Sequence, residues 1–135
     1  MFRTEIWDKV KKVIHTPSAP KSVGTYNQAI ESNNLIFTSG QVGIDPTNNK
    51  LVEGGLEPEL NQVFKNIDSI LKDADLNRNN IVKLAVFLID LNQFDIVNES
   101  FKSFFGSIEF PARSTVEVSK LPLGANVEIE CIASR

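Results

Sequence analysis

Histidine and cysteine are almost absent from this chain of 135 residues, with one of each, His15 and Cys131. Structural and catalytic zinc sites draw on several imidazole and thiolate ligands, so no metal site of that kind is expected. Carboxylates alone could hold a harder cation, but the sequence has no EF-hand and no paired-aspartate motif. A single cysteine closes no intrachain disulfide. Cys131 sits in the apolar run 127–133 and reads as a small buried strand residue rather than a nucleophile. With His15 on the N-terminal flank there is no Ser-His-Asp triad, and neither a nucleophile elbow nor a Walker A loop occurs. Positive charge is also in short supply. Seventeen acidic residues face fourteen basic ones, for a net charge of −3 and a pI near 5.2. Composition therefore lends no support to nucleic-acid binding. No apolar run reaches membrane-spanning length, so no membrane partner is expected. Residues 1–15 mix Ile6, Trp7 and Val10 with Glu5 and Asp8, unlike a secretory or transit segment. The expectation is a cytoplasmic protein.

What is present suits one globular domain, with 41% hydrophobic and 23% charged residues. Residues 3–14 have Ile6, Val10, Val13 and Ile14 at helical spacing, which predicts a short amphipathic helix in an N-terminal extension, 1–15. Thr16-Pro17-Ser18-Ala19-Pro20 breaks it. Residues 26–31 and 34–39 read as strands joined at Ser32-Asn33-Asn34. In 57–74, Leu60, Val63, Phe64, Ile67, Ile70, Leu71 and Ala74 make one apolar stripe, with Glu59, Lys65, Asp68 and Lys72 outside it. Residues 81–89 are nearly unbroken apolar, as in a strand covered on both faces. Asp90 to Gln93 resembles a capping box, opening a second helix that ends at Gly106. Two strands close the chain, at 112–119 and 126–134.

The order ββαβαββ predicts an α+β fold, a single mixed sheet with two helices on one face. Two helices cover one face only, yet 81–89 is apolar on both sides. A closed oligomer that packs sheet faces together would cover the other.

Several polar residues stand out against this pattern. Arg113 heads a strand after Phe110-Pro111-Ala112 and shares a face with Thr115 and Glu117. Most arginines are surface residues, but a guanidinium also offers two parallel donors to a carboxylate. Glu128 and Glu130 oppose Val127, Ile129 and Cys131; desolvation in an oligomer would raise a carboxyl pKa toward general acid–base use. Asn98 edges the second helix's stripe, where bracing of helix to loop is its ordinary role. Tyr26 stands at the head of the first strand, and Gly40 follows Thr38-Ser39 at the end of the second. An amphipathic core-edge tyrosine and a simple bulge account for these equally well.

Five segments, in order, resemble the RidA/YjgF family. They are Gly24-Thr25-Tyr26-Asn27-Gln28-Ala29, Phe37-Thr38-Ser39-Gly40-Gln41, the stretch from Val86 to Phe94, Phe110-Pro111-Ala112-Arg113-Ser114-Thr115, and Val127-Glu128-Ile129-Glu130. The likeness covers about 16–135 and implies a RidA-like domain there. It further implies a chorismate-mutase-like fold of the bacillary type, a homotrimer, and active-site clefts between subunits. The implied activity is hydrolysis of enamine and imine intermediates, 2-iminobutanoate and 2-iminopropanoate, to 2-keto acids and ammonia, with no cofactor. In that resemblance Arg113 grips the substrate carboxylate and Glu128 positions water, while Tyr26, Ser39, Gly40, Asn98 and Thr115 line the pocket. The chain departs from many deaminases in having Thr115 where they carry cysteine and Thr25 where they carry proline. Family members are also described as endoribonucleases and translation inhibitors. A non-catalytic small-ligand-binding or chaperone-like trimer is the further alternative.

Overall fold

The computed structural model describes residues 10–135. Among them, six strands form one sheet in the order β1-β2-β3-β8-β6-β7. These are β1 (Lys12–Ile14), β2 (Ala29–Ser32), β3 (Leu35–Thr38), β6 (Ile81–Leu88), β7 (Ala112–Glu117) and β8 (Val127–Ser134). A separate two-stranded ribbon pairs β4 (Ile44–Asp45) with β5 (Lys50–Leu51). Only β6 and β7 run parallel in the large sheet; its other pairs are antiparallel. Helices α1 (Leu56–Asp73) and α2 (Phe94–Phe105) complete the chain.

Local chemistry sets the turns. Asn33 and Asn34 both take positive φ, 50° and 64°, as a two-residue hairpin loop demands, and asparagine tolerates this better than most residues. Helix α1 stops where Asp75 turns left-handed at φ 58°, with Leu76 N–H donating back to the Leu71 carbonyl at 2.9 Å. Asp90 caps a short 3-10 turn, Leu91–Gln93, by accepting from Asn92 N–H, and α2 follows directly.

The stripe of α1 is buried as the spacing predicts: Leu60, Val63, Ile67, Ile70 and Leu71 are sealed from solvent. Phe64 stacks on Phe104 at 4.0 Å between ring centroids and meets Phe101 edge-on at 5.3 Å, which fixes α1 against α2. Both helices lie on the sheet face that carries Ile36, Leu84, Val86, Leu88, Ile129 and Cys131. Each such side chain contributes about 1.5–3 kcal/mol by leaving water. Burial also pushes the Cys131 thiol up to about 12, so it stays protonated and inert.

Three expectations need correction. Lys12–Ile14 is not helical; it forms the edge strand β1, with Val13 opposite Ile30 and Ile14 opposite Ala29. Residues 3–9 of the predicted helix lie outside the described residues. The strand predicted over 26–31 starts only at Ala29, because the buried Gln28 amide is committed elsewhere. It accepts from Thr16 N–H at 2.7 Å and donates to the carbonyls of Thr16, Ala19 and Pro20, pinning the proline-bearing segment. Glu59, placed outside the α1 stripe by its spacing, is 1% exposed. Its carboxylate accepts from Asn126, through the backbone N–H at 2.7 Å and the side-chain amide at 2.5 Å, and so ties α1 to the start of β8.

Among the described residues, no helix element covers the opposite sheet face. It presents Val13, Ile30, Phe37, Ile132, Phe87 and Val116, as the register of paired residues requires. Phe37 is 41% exposed there. The uncovered face thus carries apolar side chains on all six strands, interrupted on β6, β7 and β8 by Lys83, Ser114, Glu128 and Glu130.

Candidate active site

The sheet register sorts the candidate residues into two groups on opposite faces. Glu128 pairs with Phe87 and points to the uncovered face. Arg113 pairs with Leu84, a core residue, and points to the helix face. Strand β6 separates their strands, a gap of roughly 9.5 Å from two strand spacings. Within one chain the two side chains do not meet.

The first group surrounds Glu128. After Thr38 the chain steps out of β3 and rejoins the sheet at Gln41, which exchanges two backbone hydrogen bonds with Ile129 at 2.8 and 3.0 Å. Gly40 lies at this step, and the Glu128 carboxyl group occupies the space where a Cβ would project. Glu128, Gly40, Tyr26, Val23 and Leu123 line one cavity of about 400 Å³. Tyr26 is 50% exposed, and its hydroxyl accepts from Val23 N–H at 3.2 Å. Ser39 turns its hydroxyl away from such a role, donating to the Asn27 carbonyl at 2.6 Å and so bracing the segment before β2. Burial first, and the charge of Glu130 second, hold the Glu128 carboxyl above the usual carboxylate range.

The second group surrounds Arg113. Its Nη2 donates to Asn98 Oδ1 at 2.8 Å. The guanidinium carbon lies 4.7 Å from the Phe101 ring centroid and 5.2 Å from that of Phe94. Two aromatic rings and an amide thus hold the guanidinium on β7, the terminal strand of the sheet among the described residues. Burial lowers its pKa, without threatening the charge of an arginine. Asn98 braces helix to strand, where its position suggested helix to loop. Thr115 shares the face of Arg113, but its Oγ1 is buried without a hydrogen-bond partner.

Sequence reasoning missed two contributors. Leu123 lines the cavity from a turn between Pro122 and Gly124, a stretch that carries no chemistry-bearing motif. Glu59 supports the site from beneath. Gly43 packs so closely on α1 that a Cβ would come within 2.8 Å of Glu59 Cα. Among the described residues, no group of three or more His, Cys, Asp or Glu is placed to hold a metal ion. Nor is any helix there long and apolar enough to cross a membrane.

This is the class of small α+β proteins in which a helix-backed mixed sheet leaves its other face bare, with polar groups at its margins. The description "Endoribonuclease L-PSP" matches residues 16–135, and the chain belongs to this family, the Rid proteins. It is 47% identical over 125 residues to a mouse protein named 2-iminobutanoate/2-iminopropanoate deaminase, covering 92% of this chain and 91% of the other. It is 49% identical over 121 residues to a RutC family protein of Aquifex aeolicus (strain VF5), covering 89% and 96%. A solved Rid-family protein from Yersinia pestis, titled as of unknown function, superposes with a TM-score of 0.91 at 45% identity, covering 93% of this chain and all of that one.

Proposed function

We propose that the chain hydrolyses reactive 2-imino acids and their enamine tautomers, such as 2-iminobutanoate and 2-iminopropanoate, to 2-keto acids and ammonia. The observation that carries this reading is the complementary chemistry of the two groups. One is a half-buried guanidinium held by an amide and two aromatic rings at a sheet edge. The other is a carboxyl group of raised pKa in a cavity. A 2-imino acid needs both, a receptor for its carboxylate and a proton acceptor for the attacking water. Because one chain holds them apart, the reading requires two copies to complete each site, and a homotrimer that buries the bare sheet faces supplies three such clefts. The deaminase names of mammalian relatives support the same chemistry.

In this scheme Arg113 of one copy binds the substrate carboxylate through a two-pronged hydrogen bond and fixes the C=N carbon beside Glu128 of the neighbour. The Glu128 carboxylate accepts a proton as water adds to that carbon, giving a carbinolamine. That proton passes to the nitrogen to complete the carbinolamine. Glu128 then takes the carbinolamine hydroxyl proton and delivers it to the amino group, so that the C–N bond breaks and ammonia leaves as the C=O of the 2-keto acid forms. Tyr26 and Asn98 orient the groups. No cofactor enters, because the imine carbon is already electrophilic.

The family description also favours RNA cleavage as an alternative. Against it stand the net charge of −3 and a cavity in which Lys21 is the single cation among the lining residues. A threonine dehydratase that generates the imine in situ tests the choice. Added protein should speed imine loss in proportion to its concentration. Cleavage of RNA without imine hydrolysis would favour the alternative, and binding of a keto acid with neither activity would leave a binding protein.

A further inference from the structure

A leucine is unusual in the backbone conformation found at Leu123. Its backbone has φ 59° and ψ 21°, left-handed and strained for a side chain branched at Cγ. Among the described residues little packing offsets that strain, since the side chain is 68% exposed. Yet its position is held from both sides. Ala125 is buried and its N–H donates to the Pro122 carbonyl at 3.0 Å; Asn126 is gripped by the buried Glu59. Strain, exposure and rigid anchoring together place an apolar side chain on the wall of the cavity that holds Glu128, where Val23, 84% exposed, is a second apolar wall residue.

We infer that Leu123 is a specificity-determining residue, supplying the surface on which the alkyl side chain of a 2-imino acid rests. The inference depends on the imine-hydrolase reading for its substrate, and it names the end of that substrate which neither Arg113 nor Glu128 touches. A four-carbon branched side chain has more apolar surface to lay on such a wall than a methyl group has. Contacts of one or two methylenes in such a pocket change selectivity by about 10-fold or more.

Two variants test it, because asparagine and glycine both accept the left-handed backbone while removing the apolar wall. Imines made by an amino acid oxidase from leucine and from alanine give a kcat/KM ratio, long over short. In Leu123→Asn and Leu123→Gly that ratio should fall about 10-fold. The Kd ratio for 4-methyl-2-oxopentanoate against pyruvate should move the same way, and it can be read whether or not the chain hydrolyses imines. A shifted Kd ratio without hydrolysis by the unmodified protein would end the hydrolase reading while upholding Leu123. Ratios unchanged in both variants, binding of neither keto acid, or dissociation of the oligomer on replacing Leu123 would each overturn the inference.

Discussion

Gly40 has no side chain because Glu128 occupies its place: a Cβ there would lie 2.7 Å from the Glu128 carboxyl carbon. Gly40 does not have positive φ, so conformational freedom is not the reason for glycine. The requirement is steric, and it couples the step out of β3 to the candidate general base on β8.

Gly40→Ala should therefore displace the carboxyl group rather than unfold the protein. A misplacement near 1 Å costs about 100-fold in rate, while overpacking costs about 1–3 kcal/mol of stability. Kinetics of imine hydrolysis alongside thermal melts check both. Full activity in a folded Gly40→Ala protein would remove Glu128 from the mechanism.

Arg113→Ala should lose roughly 2–5 kcal/mol of transition-state binding, about 30-fold to several thousand-fold in kcat/KM. Arg113→Lys keeps the charge without the fork and should also be badly impaired. The side chain lies near Phe94 and Phe101 on the helix side of β7, so Arg113→Ala should also cost about 0.5–1 kcal/mol in stability. Light scattering should show the oligomer intact. A wild-type rate in Arg113→Ala would refute its role.

The raised pKa of Glu128 makes two linked predictions. As a base it works only when ionised, so kcat/KM should fall as pH drops through a value above the 4.5 of a free glutamate. For stability, a carboxyl whose pKa is higher in the folded state favours folding below its unfolded pKa, and that contribution is lost as pH rises through the folded value. Glu128→Gln should thus be at least as stable as the natural chain at pH 8, yet inactive. Its relative gain in melting temperature should shrink toward zero below the unfolded value. A Glu128→Gln protein less stable at pH 8 would contradict the desolvated carboxyl.

How much of this was legible beforehand depends on the length of each signal. Seven apolar residues at helical spacing made α1 plain, and the unbroken run 81–89 made β6 plain. Strand β1 was hidden because Val10, Val13 and Ile14 satisfy helical spacing, and only pairing to β2 decides otherwise. The β4–β5 ribbon has two residues a side, too few for any period. The motifs brought Tyr26, Gly40 and Glu128 to one cavity and Asn98 to Arg113. That the two groups face opposite ways follows from the parallel register of β6 and β7, which no local pattern encodes.

The bare face that carries Phe37, Ile132 and Val116 predicts a trimer at micromolar concentration. Phe37→Asp should place a charge within the buried sheet-to-sheet contact and yield monomers or aggregates, with imine hydrolysis lost along with assembly. A stable, active monomer of the natural chain would contradict the shared cleft.

The most direct test mixes two inactive variants. Arg113→Ala and Glu128→Gln chains, unfolded together and refolded, reassemble at random, and about one cleft in four then joins an intact Arg113 from one chain to an intact Glu128 from another. The account predicts that imine hydrolysis, negligible in either variant alone, returns to about a quarter of the natural rate. Mixed oligomers that form and stay as inactive as their parents would contradict it.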